Sequence, residues 1–193
     1  MAILLTLLRR IDRRLFRRIA GWRRFALWQP KPRTTADHLF IGLSDAADLS
    51  RLWIAVSLLI TLIAGHRGRR AATRGMVSVG ITSVVVNAFV KPVFRRRRPS
   101  RTGLPAVRRL ARPPRSTSFP SGHAASAFAF ATGTAIELKA GAAPIGALAA
   151  GVAYSRIYAG VHYPSDVLAG AAIGAGLALV VPRDHGVELD LGA

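Results

Sequence analysis

Residues 167–182 read VLAGAAIGAGLALVVP, a stretch with no charged side chain and many glycines and alanines. It is one of five charge-poor apolar runs in this chain of 193 residues, the others being 52–65, 75–90, 124–136 and 140–155. Each run is shorter than the ~20 residues that cross a bilayer core, but uncharged flanks and snorkelling basic side chains can extend it. Small residues let helix backbones approach closely within a membrane. The pattern predicts an all-α fold, a polytopic membrane helical bundle of about five transmembrane helices.

A soluble protein with a buried helical core is the alternative interpretation of these runs. Such a protein would have to bury all five runs within one small chain. The mean hydropathy of +0.31 and the 51% of hydrophobic residues exclude an intrinsically disordered chain. The chain has no cysteine, which excludes disulfide bonds, thiolate nucleophiles and cysteine-ligated metals.

The net charge of +19 is concentrated in two segments. Residues 1–33 hold ten basic residues and one acid, residues 91–115 hold ten basic residues and no acid, and the rest of the chain is neutral overall. Cationic segments that flank apolar runs are typical of membrane proteins that contact anionic lipid.

Residues 3–24 are predicted to form an amphipathic helix. Its apolar residues recur at three- and four-residue steps, namely Leu8, Ile11, Leu15, Ile19 and Trp22. Arginine pairs recur every four residues, at 9–10, 13–14 and 17–18, and the sequence QPKP at 29–32 ends the helix. We expect this helix to lie in the headgroup plane, with its arginines on anionic lipid and Trp22 or Trp28 at the interface. The alternative is an ordinary amphipathic segment that packs on the protein.

The distribution of basic residues predicts which side of the membrane each loop occupies. If all five runs span, the N-terminal segment and the loops 91–121 and 156–164 share one side, which holds twenty-two basic residues. A loop at 66–74, the turn at 137–139 and the C-terminus share the other side, which holds six. The positive-inside rule places the richer side in the cytoplasm. We therefore expect a multi-pass protein of the cell membrane, which in a bacterium is the inner membrane.

Three polar clusters fall on the predicted cytoplasmic side. The first is KPVFRRRRP at 91–99, in which Arg98 follows Lys91 by seven residues and Pro99 comes directly after Arg98. A lysine point charge and an arginine fork can hold one phosphate between them. The alternative is that such cations only set topology, which is what we expect of residues 95–97.

The second cluster is FPSGH at 119–123, which opens the third apolar run. Pro120 and Gly122 favour a turn, and Ser121 can cap the helix that follows, whose free backbone amides make an anion site. His123 lies at the mouth of that site, where an imidazolium can donate a proton to a leaving oxygen. The alternative is a capping turn with an incidental histidine.

The third cluster is SRIYAGVHYPSD at 155–166. Pro164 is suited to the first position of the fifth helix. Asp166, four residues after His162, can accept a hydrogen bond from one imidazole nitrogen and leave the other nitrogen free to attack. The alternative is a purely structural pair at a helix start.

In order, the clusters read K-x6-R-P, P-S-G-H and S-R-x5-H-x3-D. These three motifs and their spacings, over roughly residues 91–166, resemble those of the phosphatidic acid phosphatase type 2 superfamily. The chain differs from the many membrane members with six spans, because its sequence predicts five spans and an amphipathic helix.

The resemblance implies a role for each motif residue. His162 is expected to be the nucleophile that forms a phosphohistidine, Asp166 its orienting partner, and His123 the general acid, so that these three are the catalytic residues. The expected substrate phosphate-binding residues are Lys91, Arg98, Ser121, Gly122 and Arg156. Asp166 is the only acid within the motifs, so the sequence offers no two-metal site, and we expect hydrolysis with no metal and no cofactor.

The expected substrate is a lipid phosphate or diphosphate of the membrane. Candidates are prenyl phosphates and diphosphates, phosphatidic acid, phosphatidylglycerophosphate and phosphorylated glycolipid carriers. A cytoplasmic site favours a cell-wall intermediate that is dephosphorylated before export, such as a polyprenyl-phosphate sugar phosphate, over undecaprenyl diphosphate recycled at the outer face. A lipid phosphotransferase would use the same residues, and vanadium haloperoxidases share the motifs but are larger soluble proteins.

A non-enzymatic membrane-binding or nucleic-acid-binding protein is the alternative from a different class. We expect no nucleic-acid partner, because the cationic segments flank apolar runs and carry no aromatic RNA-binding signature. An inactive family member is disfavoured by the intact motifs. The predicted organisation is a basic segment at 1–33, which contacts anionic headgroups, a catalytic domain at 37–183 and a tail at 184–193.

Overall fold

The computed structural model describes residues 2–21, 32–114 and 116–182, and every regular element within those ranges is helical. The helices are α1 (Ala2–Ala20), α2 (Thr35–Ala46), α3 (Arg51–Val84), α4 (Lys91–Val93), α5 (Gly122–Glu137), α6 (Ala142–Tyr158) and α7 (Pro164–Val180). A π-helical turn, Val85–Val90, joins α3 to α4, and short 3-10 turns lie at Asp48–Ser50, Ala106–Arg108 and Lys139–Gly141. The all-α prediction is confirmed. Trp28 and the tail at 184–193 lie outside the described residues.

Helix α5 forms the centre of the bundle and contacts α3, α6 and α7. Its inward positions are mostly alanine, which lets three neighbours pack closely around it. Phe130 is the large exception, because its buried ring lies 5.0 Å from the ring of Trp53 on α3, centroid to centroid. The core therefore combines small side chains on α5 with a few aromatic anchors.

Helix α3 reverses direction at Gly65, whose φ of 52° and ψ of −127° lie outside the range that residues with a side chain adopt readily. A Cβ atom on Gly68 would lie 2.0 Å from the carbonyl oxygen of Ile60, so the chain folds back on itself there. Trp53 and Gly75 accordingly reach the same ring, that of Phe130. Residues 51–64 and 66–84 thus form two antiparallel arms.

The loop predicted for 66–74 is wrong, because these residues are helical. A single glycine is enough to make the reversal, and the residues after it belong to the second arm. Ala71, Ala72 and Arg74 are buried there, which explains why a segment with four arginines is helical rather than a solvated loop.

Apolar side chains cover much of the outer surface of the first arm. Leu62 is 84% exposed and Ile63 76% exposed, and a soluble protein rarely presents a continuous apolar face of this kind. By length and composition, Asp48–Val93 is the one helical stretch in the described ranges that can cross a membrane, and Pro164–Val180 is apolar but shorter. This exposure disfavours the soluble interpretation, while the number of spans stays a prediction.

The two ends of the bundle differ in chemistry. At one end Glu137 pairs with Arg70 and Arg74, and Arg74 also donates to the carbonyl of Val181. At the other end lie the starts of α5 and α7 and the end of α6, which carry the second and third sequence clusters. These helices have 16 or 17 residues, which corresponds to a length of about 25 Å.

Helix α1 packs one face on the bundle and exposes another. The buried face, which contacts α6 and α7, carries Asp12, Phe16 and Ala20. The exposed apolar stripe, flanked by exposed arginines, carries Leu7, Ile11 and Leu15. Ile19 is half-buried and Trp22 lies outside the described residues, so the predicted stripe is divided between the two faces. The sequence prediction of a helix is confirmed, but the helix ends at Ala20, before the predicted end at residue 24, because Gly21 adopts a φ of 66°. Its membrane contact stays a prediction.

Helix α2 was not among the predicted elements. Its apolar positions are interrupted by Asp37, His38 and Asp45, so no apolar run marks it. A capping box defines its start, because the Thr34 hydroxyl accepts from the Asp37 amide while the Asp37 carboxylate accepts from the Thr34 amide.

Glycines in the middle of α7 allow it to lie directly against α5. A Cβ atom on Gly170 would lie 2.4 Å from the carbonyl oxygen of Ser121, and one on Gly174 would lie 2.0 Å from that of Ala125. Real Cβ atoms are not found so close to an oxygen, so a larger residue would force the helices apart. The close packing expected of the glycine-rich and alanine-rich run at 167–182 is confirmed at these two positions.

We expect Gly174→Ala to lower the free energy of unfolding by about 1–3 kcal/mol, the usual cost of overpacking. Gly176→Ala is the matched control on the same helix, because a Cβ atom there meets no neighbour within 4 Å. Thermal unfolding in detergent measures both variants. Equal melting temperatures for the two variants would contradict the close α5–α7 packing.

Candidate active site

The three sequence clusters meet at one end of the bundle through backbone hydrogen bonds. The Ser121 amide donates to the carbonyl of Asp166 at 2.9 Å, which joins the start of α5 to the start of α7. The His162 and Val161 amides both donate to the carbonyl of Arg156, which folds the loop back on the end of α6. All eight predicted site residues are brought together in this region.

His162 and Arg98 are in direct contact. Nη1 of Arg98 lies 3.0 Å from Nε2 of His162, whose side chain is 2% exposed. Because a guanidinium only donates, Nε2 is the acceptor in this pair, and a neutral imidazole then carries its proton on Nδ1. The geometry therefore selects the tautomer in which the Nε2 lone pair faces the cation.

The charge state of His162 is also set by its surroundings. Burial is the main cause that lowers the pKa of His162 to about 4, the nearby charges of Arg98 and Arg156 lower it further, and Asp166 acts in the opposite direction. A group with this pKa is neutral at neutral pH and becomes an imidazolium only when the pH falls through about 4.

Asp166 is fully buried and accepts hydrogen bonds at both oxygens. Oδ2 accepts from the Ser118 hydroxyl at 2.5 Å and from the Tyr163 amide at 2.9 Å, and Oδ1 accepts from Arg96 at 2.7 Å. Its distance to Nδ1 of His162 is 3.7 Å, which is an ion-pair distance rather than a hydrogen bond. Nδ1 has no hydrogen-bond partner within the described ranges. The predicted pair is therefore adjacent, but other donors hold the carboxylate.

His123 lies at the start of α5 and contacts the turn between α2 and α3. Its Nε2 atom lies 2.7 Å from Oδ1 of Asp48. Burial is the main cause that lowers the pKa of His123 to about 3, the nearby charge of Arg156 lowers it further, and Asp48 acts in the opposite direction. The Asp48 contact leaves the Nδ1 atom of His123 as the second nitrogen available for proton transfer.

Arg98 and Lys91 both contact the hydroxyl of Ser116. Arg98 donates to the carbonyls of Ser116, Thr117 and Val161, which fixes the plane of its guanidinium. Nη2 of Arg98 lies 3.2 Å from the Ser116 hydroxyl oxygen, and the Lys91 ammonium lies 3.4 Å from the same atom. The Lys91 ammonium is also 3.4 Å from where a Cβ on Gly122 would stand, so glycine leaves it room at the helix start.

Ser121 and Arg156 complete the set. Ser121 is the N-cap of α5, where its hydroxyl accepts from the Ala124 amide at 3.4 Å, which confirms the predicted capping. Pro164 is the first residue of α7, also as predicted. Arg156 is 1% exposed and donates to the Ser44 hydroxyl, and its Nε has no partner within the described ranges.

A cavity of about 320 Å³ opens beside His123, Gly122 and Lys91. Polar side chains make up much of its wall. Besides His123 and Lys91 they are Ser50, Thr82, Ser83, Asn87 and Ser126. Thr82 is fully buried, and its hydroxyl has no hydrogen-bond partner among the described residues. The space next to His123 is thus suited to a group that carries hydroxyls.

Sequence reasoning missed several residues that support the site. They are Ser44, which binds Arg156; Asp48, which binds His123; Ser116, which lies between Lys91 and Arg98; and Arg96 and Ser118, which bind Asp166. Arg96 was expected only to set topology, whereas it forms ion pairs with two carboxylates. None of these residues has a spacing signal of its own.

The sequence model of the PAP2 superfamily matches residues 72–188, which include all three motifs. The chain belongs to the PAP2 superfamily. The resemblance stated from the motifs is thereby confirmed.

Two curated relatives of this PAP2 protein are phosphatases by name. The decaprenylphosphoryl-5-phosphoribose phosphatase of Mycobacterium tuberculosis (strain CDC 1551 / Oshkosh) is 34% identical over 142 residues, which are 72% of this chain and 75% of the relative. The protein of the same name from Mycolicibacterium smegmatis is 33% identical over 132 residues, 67% of this chain and 68% of the relative.

Two crystal structures share the fold. Aquifex aeolicus LpxE superposes with a TM-score of 0.64 at 28% identity and covers 88% of this chain and 93% of its own. A transmembrane PAP2 type phosphatidylglycerolphosphate phosphatase from Bacillus subtilis superposes with a TM-score of 0.64 at 22% identity, over 90% of this chain and 83% of its own, and this likeness concerns the fold. The predictions of a lipid phosphatase and of a membrane protein are confirmed at the level of the family.

We expect nitrogen NMR of isotope-labelled histidine to show His162 of this PAP2 enzyme as a neutral imidazole protonated on Nδ1 at neutral pH. Its titration should occur near the lowered pKa of about 4. Arg98→Met should raise that pKa, because removal of a neighbouring positive charge stabilises the imidazolium. A His162 signal that titrates at the ordinary value in both proteins would contradict the burial and the contact with Arg98.

Proposed function

We propose that this protein is a multi-pass phosphatase of the bacterial inner membrane, with its active site at the cytoplasmic face. It hydrolyses the phosphomonoester of a polyprenyl-phosphate sugar phosphate through a phosphohistidine on His162. The observation that carries the proposal is the contact of 3.0 Å between Nη1 of Arg98 and Nε2 of His162. It puts an unprotonated nitrogen beside a cation able to hold the phosphate.

The first chemical step follows from this geometry. A bound phosphate takes the Nη1 hydrogen bond of Arg98 away from Nε2 of His162, which frees the Nε2 lone pair. This lone pair attacks phosphorus and forms a P–N bond, while the P–O bond to the sugar oxygen breaks. The imidazole becomes positively charged in this step, and Asp166, 3.7 Å from Nδ1, is placed to stabilise that charge. Asp166 is therefore the orienting partner rather than a proton acceptor.

His123 is the acid and then the base. His123 is neutral in the free enzyme at neutral pH, and the negative charge of a bound phosphate raises its pKa so that it takes up a second proton. With its Nε2–H directed to Asp48, the proton on Nδ1 of this imidazolium passes to the departing sugar oxygen. In the second step neutral His123 takes a proton from water, and the hydroxide oxygen forms a bond to phosphorus as the P–N bond breaks. Inorganic phosphate and the free His162 imidazole are the products.

Charge stabilisation comes from three cations and a helix start. Lys91, Arg98 and Arg156 act on one another electrostatically, which places their charges around one site. The amide at Gly122, next to the cap at Ser121, adds the partial positive charge of the α5 N-terminus. Phosphoryl transfer depends mainly on such positioning and neutralisation.

Two observations support a sugar-bearing substrate. The cavity beside His123, where the leaving group of the reaction would lie, has hydroxyl or amide side chains at five of its eleven lining residues. The curated relatives at 33–34% identity act, by name, on decaprenylphosphoryl-5-phosphoribose. A hydroxylated leaving group fits this wall better than a diacylglycerol does, because buried polar groups need partners.

The topology part of the proposal rests on the charge distribution. The end of the bundle that carries the site belongs to the side with twenty-two basic residues, against six on the other. The arginine-flanked apolar stripe of α1, made of Leu7, Ile11 and Leu15, is exposed and suited to an anionic headgroup layer. Five spans, one in each apolar run, are consistent with this arrangement.

The test is phosphate release by detergent-purified protein, with excess chelator, from a panel of lipid phosphates that includes a polyprenyl-phosphate sugar phosphate. We expect chelator-resistant turnover, with the sugar phosphate preferred. His162→Ala should abolish turnover because it removes the nucleophile, whereas His38→Ala, at an exposed position outside the motifs, should retain it. Full activity of His162→Ala would refute the mechanism, and a preference for phosphatidic acid would refute the substrate.

Ser126 offers a sharper test of the leaving group. Ser126→Ala removes a half-buried hydroxyl from the cavity wall, three residues after His123 on α5. We expect kcat/KM for the sugar-bearing lipid to fall roughly three- to tenfold, the effect of one lost hydrogen bond. A prenyl monophosphate without the sugar is the control substrate and should be hydrolysed at an unchanged rate. An equal loss for both substrates would contradict a sugar contact at this position.

A further inference from the structure

Arg96 connects the carboxylate of Asp166 to a second buried carboxylate. Its Nη1 atom donates to Oδ1 of Asp166 and to the Ser165 hydroxyl, both at 2.7 Å, and its Nη2 atom donates to Oδ2 of Asp12 at 2.5 Å. The guanidinium carbon of Arg96 lies 4.3 Å from the centre of the Tyr163 ring, a cation–π contact that helps to hold the guanidinium in place.

Asp12 lies on α1, and its second hydrogen-bond partner besides Arg96 is Ser165, 153 residues later in the sequence. Its Oδ1 atom accepts from the Ser165 amide at 2.9 Å and its Oδ2 atom from the Ser165 hydroxyl at 2.7 Å. The carboxylate therefore caps the first turn of α7 in addition to binding Arg96. Phe16, one turn later on α1, packs on the Tyr163 ring at 5.4 Å between centroids, and Asp12 itself is buried.

We propose that Arg96 and Asp12 are positioning residues for the reaction, so that α1 is a working part of the active site. The inference rests on the proposed roles of His162 and Asp166. Arg96 binds Oδ1 of Asp166. This contact fixes the carboxylate so that Oδ2 faces Nδ1 of His162. Asp12 in turn fixes the orientation of Arg96, because it binds Nη2 of the guanidinium while Asp166 binds Nη1.

The arrangement separates this role from phosphate binding. Within the described ranges, the side-chain contacts of Arg96 go to α1 and to residues 163–166, not to Lys91, Arg98 or Arg156. Its charge is compensated by two carboxylates, so it contributes little field to a bound phosphate. Loss of Arg96 should therefore slow the chemical step and leave substrate affinity unchanged.

The experiment compares kcat and KM of the full-length protein in detergent, with the preferred lipid phosphate of the panel as substrate. We expect Arg96→Ala to lower kcat by about 100-fold, the order expected when a reacting group is misplaced by an ångström, with KM within about twofold. Added guanidinium ion at non-denaturing concentration should restore part of kcat. Arg97→Ala, at an exposed neighbouring position, is the matched control and should behave as the wild type, with and without guanidinium.

Asp12 is tested by a double-mutant cycle. Asp12→Asn keeps the size of the side chain and should lower kcat by about tenfold, and the same change in the Arg96→Ala background should have a much smaller effect. Melting temperatures in detergent identify variants that fail to fold. If Arg96→Ala is unstable, the cycle cannot be completed and the test rests on Asp12→Asn, whose kcat and KM can still be measured separately.

The outcomes are distinct. A wild-type kcat for Arg96→Ala, or a loss that appears in KM instead of kcat, overturns the positioning role. If Arg96→Ala is unstable and guanidinium does not restore its kcat, a wild-type kcat for Asp12→Asn overturns the positioning role as well. The proposed function is judged separately by His162→Ala, because activity in that variant would refute the nucleophile whatever the behaviour of Arg96.

Discussion

A buried carboxylate needs donors on every side, and Asp166 obtains them from distant parts of the chain. The Ser118 hydroxyl and Arg96 come from the long loop before α5, and the Tyr163 amide comes from the turn before α7. A buried charge without these partners would be strongly destabilising. The hydrogen bonds that Asp166 accepts therefore position the long loop, the starts of α5 and α7, and His162 relative to one another. The active site is assembled by the same contacts that make burial of this charge possible.

The arginine run shows how one sequence pattern serves two electrostatic purposes. Arg96 is compensated by the carboxylates of Asp12 and Asp166. Arg98, two residues later, is held by the neutral carbonyls of Ser116, Thr117 and Val161. Neutral acceptors fix the orientation of a guanidinium and leave its charge uncompensated. The site thus keeps an oriented positive field at the place where we propose that the phosphate binds, and phosphoryl transfer depends on such preorganisation.

The sequence predicted the helical class and the residues at the centre of the site, because their chemistry demands particular residue types at fixed spacings. It did not predict supporting residues such as Asp48, an acid 75 positions from its partner His123 with no pattern linking the two. Arg96 stands in a run of four arginines, and only the fold distinguishes it from its neighbours. The loop expected at 66–74 was wrong because the charge pattern of that segment resembles a solvated loop, whereas a positive φ at Gly65 makes the turn.

The short helices of the bundle have a consequence for the lipid around it. Helices α5, α6 and α7 have 16 or 17 residues, which gives a height of about 25 Å against a hydrocarbon core of about 30 Å. In the proposed arrangement this hydrophobic mismatch makes the surrounding bilayer thinner. Thinning draws the headgroup plane inward, toward the end of the bundle where α5 and α7 begin. A lipid phosphate can then meet the enzyme at its own depth while its tail stays in the bilayer, so that recognition is confined to the head and is indifferent to the length of the chain.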